Sequence, residues 1–212
     1  SEILAYRDKI DAELNTLENA DDRRETLREQ YREKLAETKR IAAALTEKRR
    51  EAAKKLEQEI VRELSELDMD KVRMRIAVHT GTKLSAHGFD TVTFEISVNP
   101  GEPEKPLSKV ASGGELSRIM LAMKNVFAEN DPVGTMIFDE IDTGVSGRIA
   151  DAMGEIIADL SQTMQVVDIT HLPQVASKGD THFVVYKDAE GSHIRRLDPE
   201  ERVTVKRYWI AL

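Results

Sequence analysis

"TMIFDEIDTGVSG", residues 135–147, decides how this chain is to be read. Met136, Ile137 and Phe138 run straight into two acids, Asp139 and Glu140, and the acids run into a glycine-bearing turn. A short apolar run bounded by turn residues has the form of a buried strand. Successive strand residues point to opposite sides, but at the carboxyl edge of a strand both acids reach a shared crevice. Asp139 there suits a hydrated Mg2+, which takes oxygen ligands and keeps several waters. Glu140 suits polarising an attacking water. The same residues also suit a strand that ends in a polar turn, so the neighbouring segments must decide.

Upstream stands "SKVASGGELSR", residues 108–118. Ser112, Gly113 and Gly114 open an amphipathic run, and a helix starting there offers unpaired N–H groups and the positive end of its dipole to an anion. A capping box between Ser112 and Glu115 accounts for the serine and the glutamate but requires neither glycine. Downstream stands "VVDITHLPQVAS", residues 166–177, where His171 follows a second apolar strand and Pro173 turns the chain. A histidine at a strand mouth can hydrogen-bond a phosphate oxygen, or serve structure alone.

Between these segments helix and strand patterns alternate. A helix is expected from the glycines to about Ala128, with Leu116, Ile119, Met120, Met123 and Phe127 inward. Another is expected from about Ser146 to Leu160, with Ile149, Met153, Ile156, Ile157 and Leu160 inward. "VRMRIAVH" (72–79) and "FDTVTFEISVN" (89–99) alternate with period two and read as an antiparallel pair before the turn-rich "PGEPEKP" (100–106). "THFVVYKD" (181–188) and "SHIRRLD" (192–198) read as a hairpin. The expected class is α/β, a mostly parallel sheet with antiparallel additions, over residues 70–212.

Residues 1–69 have another texture. The first 67 residues contain neither Pro nor Gly and are dense in Glu, Lys, Arg, Leu and Ala, all good helix formers. Ile3, Ile10, Leu17, Tyr31, Leu45 and Ala52 share one heptad position, interrupted by Arg24 and Thr38; Tyr6, Ala20, Leu27 and Ile41 fall on its companion. A coiled-coil arm is expected, its partner strand elsewhere unless residues 1–19 fold back. A solvated single helix is the alternative. A break is expected at "NADDRRE", residues 19–25, where Asp22 and Glu25 have capping-box spacing. From there to Leu67 a helix spans roughly 70 Å.

The chain of 212 residues has a formal net charge of −8, with 33% charged and 5% aromatic residues. That balance argues against a uniformly basic nucleic-acid coat. The absence of cysteine excludes disulfides and thiolate metal sites. No stretch approaches the roughly 18 apolar residues of a membrane span and no signal peptide is visible, so a soluble cytoplasmic protein with no membrane partner is expected. The start at Ser1, within a helical pattern, leads us to expect a longer polypeptide.

Taken in order, a Ser-Gly-Gly helix start, a strand ending Asp-Glu about 25 residues later and a strand ending in His about 30 after that resemble the C-terminal half of an ABC-type ATPase head. "SGGE" resembles its signature motif, "IFDEID" its Walker B strand with the catalytic glutamate, "DTGVSG" (142–147) its D-loop, and His171 its switch histidine. A preceding heptad-rich helix is similar to the SMC-like branch. General SMC proteins carry Ala-Leu-Asp in the D-loop, whereas Gly144-Val145-Ser146 and the wording "NPGEPEKPLSKVASGGELSRIMLAMK" resemble the RecN family of bacterial SMC-like DNA repair proteins over residues 70–198.

The resemblance implies ATP and Mg2+ as ligands. It implies Asp139 on the metal, Glu140 and His171 as catalytic groups, and Ser112, Gly113, Gly114, Glu115, Asp142 and Ser146 at nucleotide. No G-x-x-x-x-G-K-[ST] loop occurs in the chain, so it is not expected to hydrolyse ATP alone. The implied partners are an N-terminal lobe carrying that loop, a second head across ATP, and DNA, in a nucleoid-associated setting. Lys48-Arg49-Arg50, Lys54-Lys55 and, more weakly, Arg195-Arg196 are candidate phosphate contacts, though such runs are also solvated faces. The competing expectations are a scaffold with a degenerate head and a general chromosome-organising SMC protein. The tail "RVTVKRYWIAL" (202–212) reads as a truncation, an altered C-terminus or a packed edge strand.

Overall fold

The computed structural model describes residues 2–110, 112–130, 133–203 and 209–211. Helix α1, Glu2–Glu66, runs without interruption. The break expected at residues 19–25 is absent, and residues 2–19 continue the helix rather than folding back. A capping box requires the chain to leave helical dihedrals at Asp22, and with no Pro or Gly nearby nothing forces that. Instead Thr26 Oγ1 donates to the Asp22 carbonyl at 2.9 Å, and Arg24 pairs with Asp21 at 3.2 Å.

The chain divides into two compact units. The first comprises Ser1–Glu51 and Val78–Thr91. In it Asp90 is the hub, accepting from Thr46 Oγ1 (2.9 Å), Arg49 (2.9 Å) and Thr80 Oγ1 (3.0 Å). Burial alone would raise the Asp90 pKa, but these donors and the Arg49 charge outweigh it and hold the carboxyl below its ordinary value. Arg49 is thus engaged in an ion pair within the unit. The heptad residues of the arm are exposed, Ile3 at 85% and Leu17 and Tyr31 at 67%.

The second unit comprises Ala52–Ala77 and Val92–Leu212, so the last turns of α1 belong to it rather than to the arm. Ile60, Leu64 and Leu67 recur at the i, i+4, i+7 spacing of one helix face, and all three are fully buried. The turn after α1 is closed at Asp68, which takes a left-handed φ of 62° while the Met69 N–H returns to the Leu64 carbonyl at 3.0 Å. Arg118 donates to the Leu67 carbonyl at 2.9 Å, satisfying an acceptor the helix leaves open.

Strands β1 (Arg73–Ser85), β2 (Gly88–Ser97) and β3 (Lys105–Pro106) form one sheet in that order. The connector expected at 100–106 therefore ends in a short strand, paired antiparallel to β2. The rest builds a second sheet. Helix α2 (Gly113–Phe127) leads to β4 (Thr135–Asp139), and helix α3 (Arg148–Ser161) leads to β5 (Gln165–Thr170). The four-residue helix α4 (Pro173–Ala176) precedes β6 (His182–Asp188), β7 (Gly191–Arg196) and β8 (Trp209–Ala211). The strand order is β4-β5-β8-β6-β7.

The class is mixed α/β, with parallel pairing confined to β4 and β5, which α3 connects as a crossover. The β6–β7 hairpin forms as expected. Strand β8 is not at an edge: it pairs antiparallel with both β5 and β6, because β5 otherwise has an open side next to the hairpin. The tail residues 204–208 and 212 lie outside the described residues.

Packing follows the expected faces with two differences. In α2, Ile119 and Met123 are buried as expected, but Met120 is 41% exposed and Leu121 and Ala122 are buried in its place, so the inward face is shifted towards Leu121 and Ala122. In β4, Met136 and Phe138 are buried but Ile137 is 66% exposed, so the strand is covered on one face rather than both. No described helix is long and apolar enough to cross a membrane.

Burial separates the two ends of α1 sharply. Leu64→Ala should lower unfolding free energy by about 2–5 kcal/mol, while Leu14→Ala at an exposed site should change it by no more than about 0.5 kcal/mol, both read by urea denaturation.

Candidate functional site

Parallel pairing of β4 with β5 brings the carboxyl ends of both strands to one edge, with Asp139 opposite Ile169. The pleat would send Asp139 and Glu140 to opposite sides. Glu140 breaks that alternation by adopting a left-handed φ of 49°, rare for a side-chain-bearing residue. The conformation is pinned from both directions. The Glu140 N–H donates to the Ile169 carbonyl at 2.9 Å, and its carbonyl accepts from the Thr143 N–H (3.2 Å) and Oγ1 (2.9 Å). Both carboxylates are exposed at the edge. Backbone strain so over-determined is typical of functional positions.

Beneath this edge lies a buried polar set. Asp142 is 1% exposed and Thr170 fully buried. The Thr170 hydroxyl donates to Asp142 Oδ2 and accepts the Leu172 N–H at 2.9 Å. His171, between them in sequence with Thr170 and Leu172 on either side, keeps its ring partly exposed, with Nδ1 3.7 Å from Asp142 Oδ1. Asp168 is also buried, and neither of its carboxylate oxygens has a hydrogen-bond partner. Burial, reinforced by the Asp142 charge, pushes the Asp168 carboxyl up to about 7. Thr170 and Asp168 were not among the expected site residues. The available signal was a lone acid inside the apolar run "VVDIT".

The glycine segment meets the turn that follows Glu140. Ser112 is the N-cap of α2 in extended conformation, and its side chain makes no cap hydrogen bond. The capping box that would have explained Ser112 and Glu115 does not form. A Cβ on Gly113 would enter open space, whereas one on Gly114 would press against the Thr143 carbonyl at 3.3 Å. A side chain at 114 would therefore push α2 off the turn. Glu115 lines a cavity of about 390 Å3 with Arg118, Lys71 and Asp68. Ser146 is exposed on a loop bracketed by Gly144 (φ 79°) and Gly147 (φ 57°), both in the region that favours glycine.

The structure thus gathers Asp139, Glu140 and His171 at the ends of two paired strands, and sets Gly114 against the turn between Glu140 and Gly144. Asp142, expected at nucleotide, is instead buried among Thr170 and His171. Its carboxylate is withdrawn from the open edge by its bond to Thr170. Among the described residues no group of three His, Asp or Glu side chains gathers to hold a metal.

No family model matches the chain. It is 42% identical over 209 residues to the DNA repair protein RecN of Halalkalibacterium halodurans, an alignment covering 95% of this chain and 37% of that protein. The chain thus spans little more than a third of the length of this curated relative. Among solved structures it is similar to the Smc head domain with a coiled coil and joint from Pyrococcus yayanosii, with a TM-score of 0.57 and 19% identity over 70% of this chain and 28% of that one. It is also similar to a chain studied for ATP-driven dimerization and DNA-stimulated activation of SMC ATPases, with a TM-score of 0.52 and 17% identity over 74% of this chain and 92% of that one. At these identities the structural likeness is one of fold.

The buried acid has a pH signature. The unfolded chain releases the Asp168 proton near 3.8, while the folded chain holds it until about 7. Stability is therefore full at acid pH and is eroded as pH rises through that window. Asp168→Asn should melt higher than the parent at pH 8, with the gap closing towards pH 4. A gap that does not change with pH would contradict the assignment.

Proposed function

The chain is RecN-like in sequence over 95% of its length and SMC-head-like in fold, and from that premise we propose that it is the C-terminal part of an SMC-like DNA repair ATPase. The observation that carries the reading is the parallel β4–β5 pairing, which sets Asp139, Glu140 and His171 at one strand edge. In this reading Asp139 holds a Mg2+, which would supply charge neutralisation at the phosphate oxygens. An exposed single carboxylate fits Mg2+, an ion that fills its remaining positions with water and phosphate. Glu140 orients and deprotonates the attacking water. His171 hydrogen-bonds the terminal phosphate.

Ser112, Gly113 and Gly114 act on the nucleotide of a second head. A serine hydroxyl not used for capping and an unobstructed Gly113 support that role. Ser146, exposed on the adjoining loop, faces the same junction in this reading. ATP then joins two heads, and hydrolysis releases them.

An N-terminal lobe would supply the missing phosphate loop. One side of the sheet supports it: among the described residues β4 has one unpaired edge, Ile137 is exposed, and Val167 and Ile169 are only partly buried. The exposed heptad residues of α1 fit an arm that pairs with another helix. DNA as the substrate of the whole assembly, and a nucleoid-associated cytoplasmic location, rest on the likeness to RecN. The intact acids and histidine favour this reading over a scaffold with a degenerate head.

In the full-length protein Glu140→Gln should lower ATP turnover at least about 100-fold while leaving ATP binding intact; undiminished turnover would exclude the catalytic assignment. Ser112→Arg should abolish ATP-induced head dimers in sedimentation velocity. Dimers of parental strength would exclude the action across heads.

A further inference from the structure

We infer that Asp142 is the positioning residue of His171, with Thr170 as its clamp. The inference rests on the reading of His171 as a phosphate contact and adds the group that aims it. Asp142 is too buried to meet a ligand in the crevice, and its two oxygens have different tasks. Oδ2 accepts from the Thr170 hydroxyl, which fixes the carboxylate. Oδ1 has no hydrogen bond and lies 3.7 Å from Nδ1 of His171.

A buried carboxylate oxygen without a donor is costly, and an imidazole nitrogen beside it is the natural donor. The distance is beyond hydrogen-bonding range by roughly 0.5 Å, a gap of the size that closes when a ligand engages a site. A contact at Nδ1 fixes the plane of the partly exposed ring at the strand end.

The surrounding backbone supports a fixed Asp142 rather than an incidental neighbour. The Val145 N–H donates to the Asp142 carbonyl at 3.3 Å, and the Thr143 N–H donates to Glu140 at 3.2 Å, closing the turn around it. The Thr170 hydroxyl spans the histidine, donating to Asp142 and accepting the Leu172 N–H. Both flanks of His171 are thereby tied to one carboxylate. Because Gly114 packs on Thr143, the start of α2 abuts the same turn.

The test has two arms. In the full-length protein, Asp142→Asn should lower kcat for ATP by about 10- to 100-fold with little change in KM, the size seen when a histidine loses its orienting partner. It should add nothing in a His171→Ala background. Thr170→Val should fall similarly and Thr170→Ser should recover, which keeps the test usable if Asp142→Asn folds poorly. Equal factors in both backgrounds, or a Thr170→Ser as impaired as Thr170→Val, would overturn the positioning role. Independently of turnover, 15N NMR of histidine-labelled chain should show the His171 Nδ1 resonance displaced in Asp142→Asn; an unmoved resonance overturns the inference. Undiminished hydrolysis in Glu140→Gln sinks the ATPase reading alone. A dead Glu140→Gln with an unmoved resonance sinks this inference alone.

Discussion

Backbone hydrogen bonding between β4 and β5 controls where Asp139, Glu140 and His171 lie. The register from Thr135 opposite Gln165 to Asp139 opposite Ile169 makes both strands end at one edge. The next donor along, the Glu140 N–H, continues the ladder onto Ile169 even though its residue has left the strand. A shift of one residue would exchange the faces of the shifted strand and move its buried set to solvent. Met136 and Phe138 on one strand and Val166 on the other oppose that shift, because their burial against α3 and its neighbours depends on the present register.

Two layers of acid result from this constraint. Asp139 and Glu140 stand exposed at the edge, while Asp142 and Asp168 lie buried below it. The exposed pair can be reached from the edge. Buried carboxylates raise the electrostatic cost of the fold, which Thr170 offsets at Asp142 and which Asp168 offsets by holding its proton to about 7. A polar layer of this kind is poor for stability and good for geometry, since it fixes the groups around His171.

The second sheet is finished on one side only. α3 and α2 supply a dense cluster under Met136, Phe138 and Val166, but Ile137 and the outer edge of β4 have no such cover among the described residues. The arm is similar in kind, with apolar heptad positions exposed along α1.

Much of this was legible in residue order. The apolar runs around Phe138 and Val166 are strands, the inward faces of α3 are those its period requires, and the two glycines open α2, because these features depend on local periodicity and backbone freedom. Other features depend on residues far apart in the chain. The capping pattern at Asp22 lost to an unbroken run of helix formers, and the tail strand β8 entered the sheet between β5 and β6 because β5 offered an unpaired side there. The sequence by itself determined α2, β4, α3, β5 and the β6–β7 hairpin, and that Asp139, Glu140 and His171 stand at strand ends. Only the tertiary structure decided that Glu140 turns left-handed and that Asp142 is buried beneath His171, since both follow from hydrogen bonds to a strand and a threonine nearly thirty residues away.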